Sequence, residues 1–155
     1  MRILVLSDSH GDLGSFRLAV DAQPSADVIA FLGDGENDAD KMNRQLFNKQ
    51  ILCVGGNCDY SRINPETRII FCDGVRIFCT HGHRQSVKYG TERLIADAVK
   101  AKANIALYGH THVQHYECVN GLHLFNPGSI RDGRYGVVDI TPSGIACLKM
   151  SLTDC

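Results

Sequence analysis

Apolar residues in this chain gather into short unbroken runs that stop abruptly at polar, glycine-containing stretches. Residues 3–6, 28–32, 51–54 and 105–108 are such runs and read as buried strands covered on both faces. Between them the period changes. Over 13–22, Leu13, Phe16 and Val20 recur at helical spacing, with Asp12 in the capping position. Residues 37–49 are polar except for Met42, Leu46 and Phe47, the pattern of an exposed helix with one apolar stripe. The second half of the chain is built differently. Asp73-Gly74 divides 68–72 from 75–80, Asn120-Gly121 divides 113–118 from 123–125, and Thr141-Pro142-Ser143-Gly144 divides 135–140 from 145–150. Each is a hairpin signal. A helix is expected over 91–103, with Leu94, Ile95, Ala98 and Val99 on one face. Strand–helix units followed by hairpins predict an α/β fold of two sheets packed face to face with helices outside.

Composition narrows the class of partner more than the fold. The 155 residues show no repeat, low-complexity tract or linker, so one domain over 1–155 is expected. A formal net charge of -1 gives no global case for nucleic acid or an anionic membrane. The seven cysteines (Cys53, Cys58, Cys72, Cys79, Cys118, Cys147 and Cys155) are odd in number and lack a CxxC pair. They are expected to be mostly buried thiols in a reducing cytosol, not a disulfide framework. The apolar start of the chain runs straight into Ser7-Asp8, too short for a signal peptide or a membrane span. The expectation is a soluble cytoplasmic protein with no membrane partner; a homo-oligomer stays open.

The chemistry lies where the apolar runs end. The first stops at Asp8-Ser9-His10, the second at Gly33-Asp34, the third at Gly55-Gly56-Asn57-Cys58-Asp59. Residues 77–79 stop at Thr80-His81-Gly82-His83, and residues 105–108 stop at Gly109-His110-Thr111-His112. Ligands of α/β sheets sit at the carboxyl ends of the strands, so parallel strands would bring all five groups together. Singly, each has a plain structural reading: Asp8 as a helix cap, Gly33-Asp34 as a turn, Asn57 as a loop residue, His81 and His83 as surface histidines. Together they form a nitrogen–oxygen ligand set that suits Mn, Fe, Ni, Co or Zn, with no closed cysteine site. Asp8, His10, Asp34, Asn57, His81, His110 and His112 are too many for one tetrahedral ion. They suit two ions that share a carboxylate. Two divalent ions outweigh two carboxylates, so the cleft would be positive and would recruit a phosphate ester.

In this order, Asp8-Ser9-His10, Gly33-Asp34, Gly56-Asn57-Cys58-Asp59, His81-Gly82-His83 and Gly109-His110-Thr111-His112, with Asn126-Pro127-Gly128-Ser129, the chain resembles the calcineurin-like metallophosphoesterase superfamily. Within it the chain is similar to the small, cap-less YfcE-like phosphodiesterases. The resemblance implies a four-layer αββα sandwich of two mixed sheets flanked by helices, with no cap domain. It implies that Asp8, His10, Asp34 and His112 hold one divalent ion. Asp34, Asn57, His81 and His110 would hold the other, manganese before Ni, Fe, Co or Zn. A metal-bridging hydroxide would attack phosphorus, placing Asp34, Asn57, His81 and Cys58 among the catalytic residues. Many relatives carry His where Cys58 stands, and that His assists the leaving group. Cys58 cannot do so in the same way, which suggests slower turnover or a preference for good leaving groups.

The expected activity is thus phosphodiester hydrolysis on a small-molecule substrate. Phosphomonoesterase or protein phosphatase activity on the same site is the alternative within enzymes. A non-catalytic scaffold like the retromer small subunit is the alternative outside them, and the complete set of seven ligand positions argues against it. Asp59 is expected to orient its loop, and His83 to touch phosphate or support the site. His115, His123, Arg131 and Arg134 are expected at the surface.

Overall fold

The computed structural model describes residues 1–46, 48–60 and 63–154. Its strands and helices are β1 (Arg2–Leu6), α1 (Leu13–Ala22), β2 (Val28–Phe31), α2 (Glu36–Gln45), β3 (Gln50–Cys53), β4 (Thr67–Cys72) and β5 (Val75–Thr80). There follow α3 (Glu92–Lys100), β6 (Ile105–Leu107), β7 (His115–Val119), β8 (Leu122–Asn126), β9 (Arg134–Thr141) and β10 (Gly144–Ser151). They form two mixed five-stranded sheets, in the orders β10-β9-β1-β2-β3 and β4-β5-β6-β8-β7.

The strands that matter run parallel. β1, β2 and β3 are parallel neighbours in the first sheet; β5, β6 and β8 are parallel neighbours in the second. The apolar runs behave as two-faced strands should. From β1, Ile3 and Val5 face the other sheet, while Leu4 and Leu6 face the helices. Ile3, Val5, Ala30, Leu32 and Val138 pack against Ile70, Ile77, Ile105, Leu107 and Phe125 to make the core between the sheets. Phe16, Val20 and Met42 carry α1 and α2 onto the outer face of the first sheet, with Phe16 stacked on Phe31 at 5.3 Å. Leu94 and Ala98 carry α3 onto the outer face of the second, against Phe78, Ala106 and Leu124. The result is the four-layer αββα sandwich.

Several local expectations shift. α2 ends at Gln45, not at residue 49, and Phe47 lies outside the described residues. Two of its charged residues, Glu36 and Asp38, are buried. β3 is an edge strand, and of its residues only Cys53 is fully buried, so it is not covered on both faces. Val99 points to solvent, because α3 turns only the Leu94–Ala98 stripe inward. Cys53 and Cys79 are buried thiols as expected, whereas Cys58 and Cys118 are exposed. Cys155 lies outside the described residues. His115 and His123 are half-buried, each bonded through Nδ1 to a tyrosine hydroxyl, Tyr108 at 2.7 Å and Tyr116 at 3.0 Å. Arg131 and Arg134 are exposed. Among the described residues no helix is long and apolar enough to cross a membrane.

Candidate metal centre

Because β1, β2, β3, β5 and β6 all end at one edge of the sandwich, their following loops meet there. The loops are laced together by backbone bonds beyond the strands: Asp8 N–H to Gly33 O at 2.9 Å, His10 N–H to Asp34 O at 3.0 Å, and Gly109 N–H to His81 O at 3.0 Å. Room for this approach comes from small residues. A Cβ on Gly33 would stand 2.7 Å from Gly56 N, and the Gly33 φ of +95° is itself a glycine conformation.

The candidate ligands sit on unusual backbone. Asp8, His10, Asp34, His110 and His112 all have positive φ, between 45° and 67°. Each such non-glycine residue costs of order 1 kcal/mol, and such strain concentrates at functional sites. Here it turns successive side chains off the strand ends toward a common point.

Two groups form there. In the first, Asp8, His10 and His112 converge: His112 Nε2 lies 3.1 Å and His10 Nε2 3.7 Å from Asp8 Oδ1, and the two rings approach to 3.3 Å. In the second, Asp34, His81 and His110 converge: His81 Nε2 lies 3.3 Å from Asp34 Oδ2 and 3.2 Å from His110 Nδ1. Asn57 Oδ1 joins at 3.0 Å from His81 Nε2. Asp34 also reaches the first group, with Oδ2 3.8 Å from His10 Nε2. All seven residues are therefore brought together, and Asp34 lies between the halves.

The donor chemistry fits cations. His81 Nδ1–H donates to Leu32 O at 2.7 Å, so the neutral ring would turn the Nε2 lone pair inward toward a cation. Nε2 then faces Asn57 Oδ1, Asp34 Oδ2 and His110 Nδ1, none of which is an obligatory donor. Asp8 is fully buried, yet its Oδ1 has no hydrogen-bond partner. A buried carboxylate oxygen without a partner is costly, and a cation removes that cost. Burial opposes charge on Asp34, but the His81 ring and the Cys58 N–H (2.8 Å from Oδ1) hold its carboxyl well below the usual range. Burial also opposes charge on His81, which Asp34 and Asp8 outweigh, raising its pKa. Burial, then the neighbouring His81, pulls His110 down to about 4, so its ring is neutral and has a free lone pair at neutral pH.

Supporting residues hold this geometry. Asp59 behaves as a clasp for its own loop and its neighbour. Its Oδ1 accepts from Gly35 N–H and Glu36 N–H at 2.9 Å each, and its Oδ2 from Asp34 N–H and Gly56 N–H at 2.8 Å each. It thereby caps α2 from another loop, since Gly35 provides no side-chain cap. Sequence reasoning missed others. Ser7 Oγ donates to Asp8 Oδ2, Ser129 Oγ donates to Asp8 O at 2.9 Å, and buried Asn126 donates to Gly109 O at 2.9 Å. Asp38 accepts from Ser9 Oγ at 2.6 Å and Gly11 N–H at 2.9 Å, bracing the His10 loop. Asn126 and Ser129 stand in the Asn126-Pro127-Gly128-Ser129 stretch, the one signal that could have found them.

Cys58 is exposed at the rim, where burial and then the Asp34 carboxylate push its thiol up. His83 is half-buried, its ring 5.5 Å from His81, with Nδ1 lacking a partner. It borders an open cleft of about 740 Å³ that starts at Asn57 and runs past Tyr60, Asn64 and Arg84.

Comparison with known proteins gives the family. Residues 1–148 match the calcineurin-like phosphoesterase superfamily domain. A probable metallophosphoesterase of Mycoplasma pneumoniae is 30% identical over 132 residues, covering 83% of this chain and 79% of that protein. The phosphodiesterase YfcE of Escherichia coli K12 is 26% identical over 170 residues, covering 90% and 88%. A crystal structure of a conserved protein from Streptococcus pneumoniae, described as a predicted phosphoesterase, superposes with a TM-score of 0.84 at 29% identity, covering 98% of this chain and 90% of that one.

Proposed function

The chain belongs to the calcineurin-like phosphoesterase superfamily and is a metal-dependent phosphoesterase; on that premise we propose that it hydrolyses small-molecule phosphodiesters on a pair of divalent cations. Asp8, His10, Asp34 and His112 would hold one cation and Asp34, Asn57, His81 and His110 the other, with manganese proposed as the activating ion. The observation that carries this reading is Asp8 Oδ1, fully buried and without a hydrogen-bond partner while the His112 and His10 ring nitrogens face it at 3.1 and 3.7 Å, with Asp34 reaching both halves.

Bound there, divalent cations lower the pKa of water and offset the charge that builds on the phosphoryl oxygens. The residues of the chain supply the rest. The His81 ring, fixed by Leu32 O, and the Asn57 amide oxygen keep one edge of the centre rigid. Asp34 links the halves and stays ionised through the neutral range. The cleft beyond Asn57 and His83 leaves room for a second ester substituent, which favours a diester over a monoester. Cys58 places no imidazolium near the leaving oxygen, so esters of acidic alcohols and phenols should react best.

The test is hydrolysis of an aryl phosphodiester and the matching aryl monoester with Mn, Co, Ni or Zn. The expected result is manganese-dependent turnover with the diester ahead. No rate above the metal-free control with any of the four ions would sink the enzyme reading. Monoester turnover ahead of diester would transfer the proposal to a phosphomonoesterase.

A further inference from the structure

The His10 side of the centre contains a donor outside the seven. Cys58 Sγ, His10 Nε2 and an Asp34 carboxylate oxygen all lie within 4.8 Å of one another. Donors at about 2.0–2.3 Å from a shared ion lie at most roughly 4.6 Å apart, so an ion would draw these three closer together to meet it. The thiol is not placed there by chance rotation of a free loop. Cys58 N–H is anchored on Asp34 Oδ1 at 2.8 Å, and Asp59, the next residue, is clasped to four backbone N–H groups. A second observation points to a cation at the same place. Asp8 has no exposure, its Oδ1 has no hydrogen-bond partner, and that oxygen stands 3.7 Å from the same His10 Nε2.

We propose that Cys58 is a sulfur ligand of the cation held by His10 and Asp34, and that this position takes a thiophilic divalent ion, zinc or cadmium, in preference to manganese. The inference rests on the two-cation reading above. Ligation forms a metal–sulfur bond and breaks the S–H bond; the proton leaves to solvent, which reaches the exposed Cys58 directly, and no electrons are transferred. The two positions are then chemically unequal. Asp34, Asn57, His81 and His110 offer only nitrogen and oxygen, which suits manganese. His10, Asp34 and Cys58 add a soft donor, which suits zinc or cadmium.

Cobalt(II) titration of the full chain separates this inference from the reading beneath it. Cobalt d–d bands report that ions are bound, and a near-ultraviolet thiolate-to-cobalt charge-transfer band reports sulfur among the ligands. The wild type should show both. Cys58→Ser and Cys58→Ala should keep the d–d bands and lose the charge-transfer band. Cadmium affinity should fall about 10–100-fold in both variants while manganese affinity stays within about twofold, the size expected for loss of one ligand contact. Wild-type d–d bands without charge transfer would overturn the sulfur ligand and leave the two-cation reading standing. Charge transfer that persists in both variants would assign the sulfur elsewhere and overturn it equally. Absence of d–d bands in the wild type would overturn both readings. Circular dichroism on the same samples confirms that each variant is folded.

Discussion

The two halves of the centre use the same residue types on the same kind of strand-end loop, yet they stand in different surroundings. In the inner half, His81 has no exposure and Asp34 is 3% exposed, with His110 half-buried and Asn57 alone facing solvent. Leu32 O fixes the His81 ring, while Cys58 N–H and the Asp59 clasp fix Asp34. In the outer half Asp8 is equally buried, but its partners are not: the His10 side chain is 23% exposed and that of His112 43%. A ligand ordered before the ion arrives loses little entropy on binding it, whereas a solvent-facing ring must be ordered at that moment. On the proposed two-cation reading, the inner half should therefore bind its cation tightly, and the outer half should exchange.

Metal affinity measured by calorimetry across three variants is the strongest way to break that comparison. Asp34→Asn should disable both halves, with turnover falling at least about a thousandfold, or roughly 4 kcal/mol of transition-state stabilisation. His81→Ala should cost the tight ion more than about a hundredfold in affinity. His112→Ala should weaken only the exchangeable ion, by about 10–100-fold. Equal losses in the two histidine variants would show that burial does not rank the positions.

Asp59→Asn should come next, and it acts on the inner half through the backbone. The four N–H groups are shared two to each oxygen. An amide keeps one oxygen, so two donors lose their acceptor, each at about 1–3 kcal/mol. Urea unfolding should register a loss of about 2–6 kcal/mol, and affinity for the tight ion should fall about tenfold. Normal affinity in a destabilised protein would confine Asp59 to folding and detach it from the centre.

Much of this was legible in the sequence because strands and ligands were ordered by one rule. Apolar runs that stop at Asp8, Asp34, Asn57, His81 and His110 predicted both the parallel strands and the edge where they end. α1 agreed residue for residue, since Asp12 and the Phe16–Val20 spacing are local signals. What was hidden depends on contacts between distant segments. Glu36 and Asp38 look like solvent-facing charges on a polar helix. They are buried because Asn64 N–H, Ser9 Oγ and Gly11 N–H approach from other loops. The positive φ of five ligand residues is not readable position by position, because Asp and His tolerate it better than most residues but adopt it only where the surrounding loops impose it. The difference in exposure between the two halves was likewise invisible, because no residue type records it.

The smallest effect tests whether the outer half depends on the helix that follows it. Asp12 caps α1 two residues after His10, accepting from Ser15 N–H at 2.9 Å and Ser15 Oγ at 2.7 Å. The Ser15 N–H first, then its hydroxyl, lowers the Asp12 pKa. A carboxylate with a depressed folded pKa stabilises the protein fully above its unfolded value of about 3.9 and loses that contribution as pH falls through the folded value. Asp12→Ala should therefore cost about 1 kcal/mol at pH 7, a Tm decrease of about 2–4 °C. The gap between variant and wild type should narrow progressively below pH 4. The His10 loop has its own brace in Asp38, so affinity for the exchangeable ion should stay unchanged. A loss of that affinity matching the loss of stability would mean that the outer half is ordered by α1, and its looseness would then be a property of the helix start instead of its exposed rings.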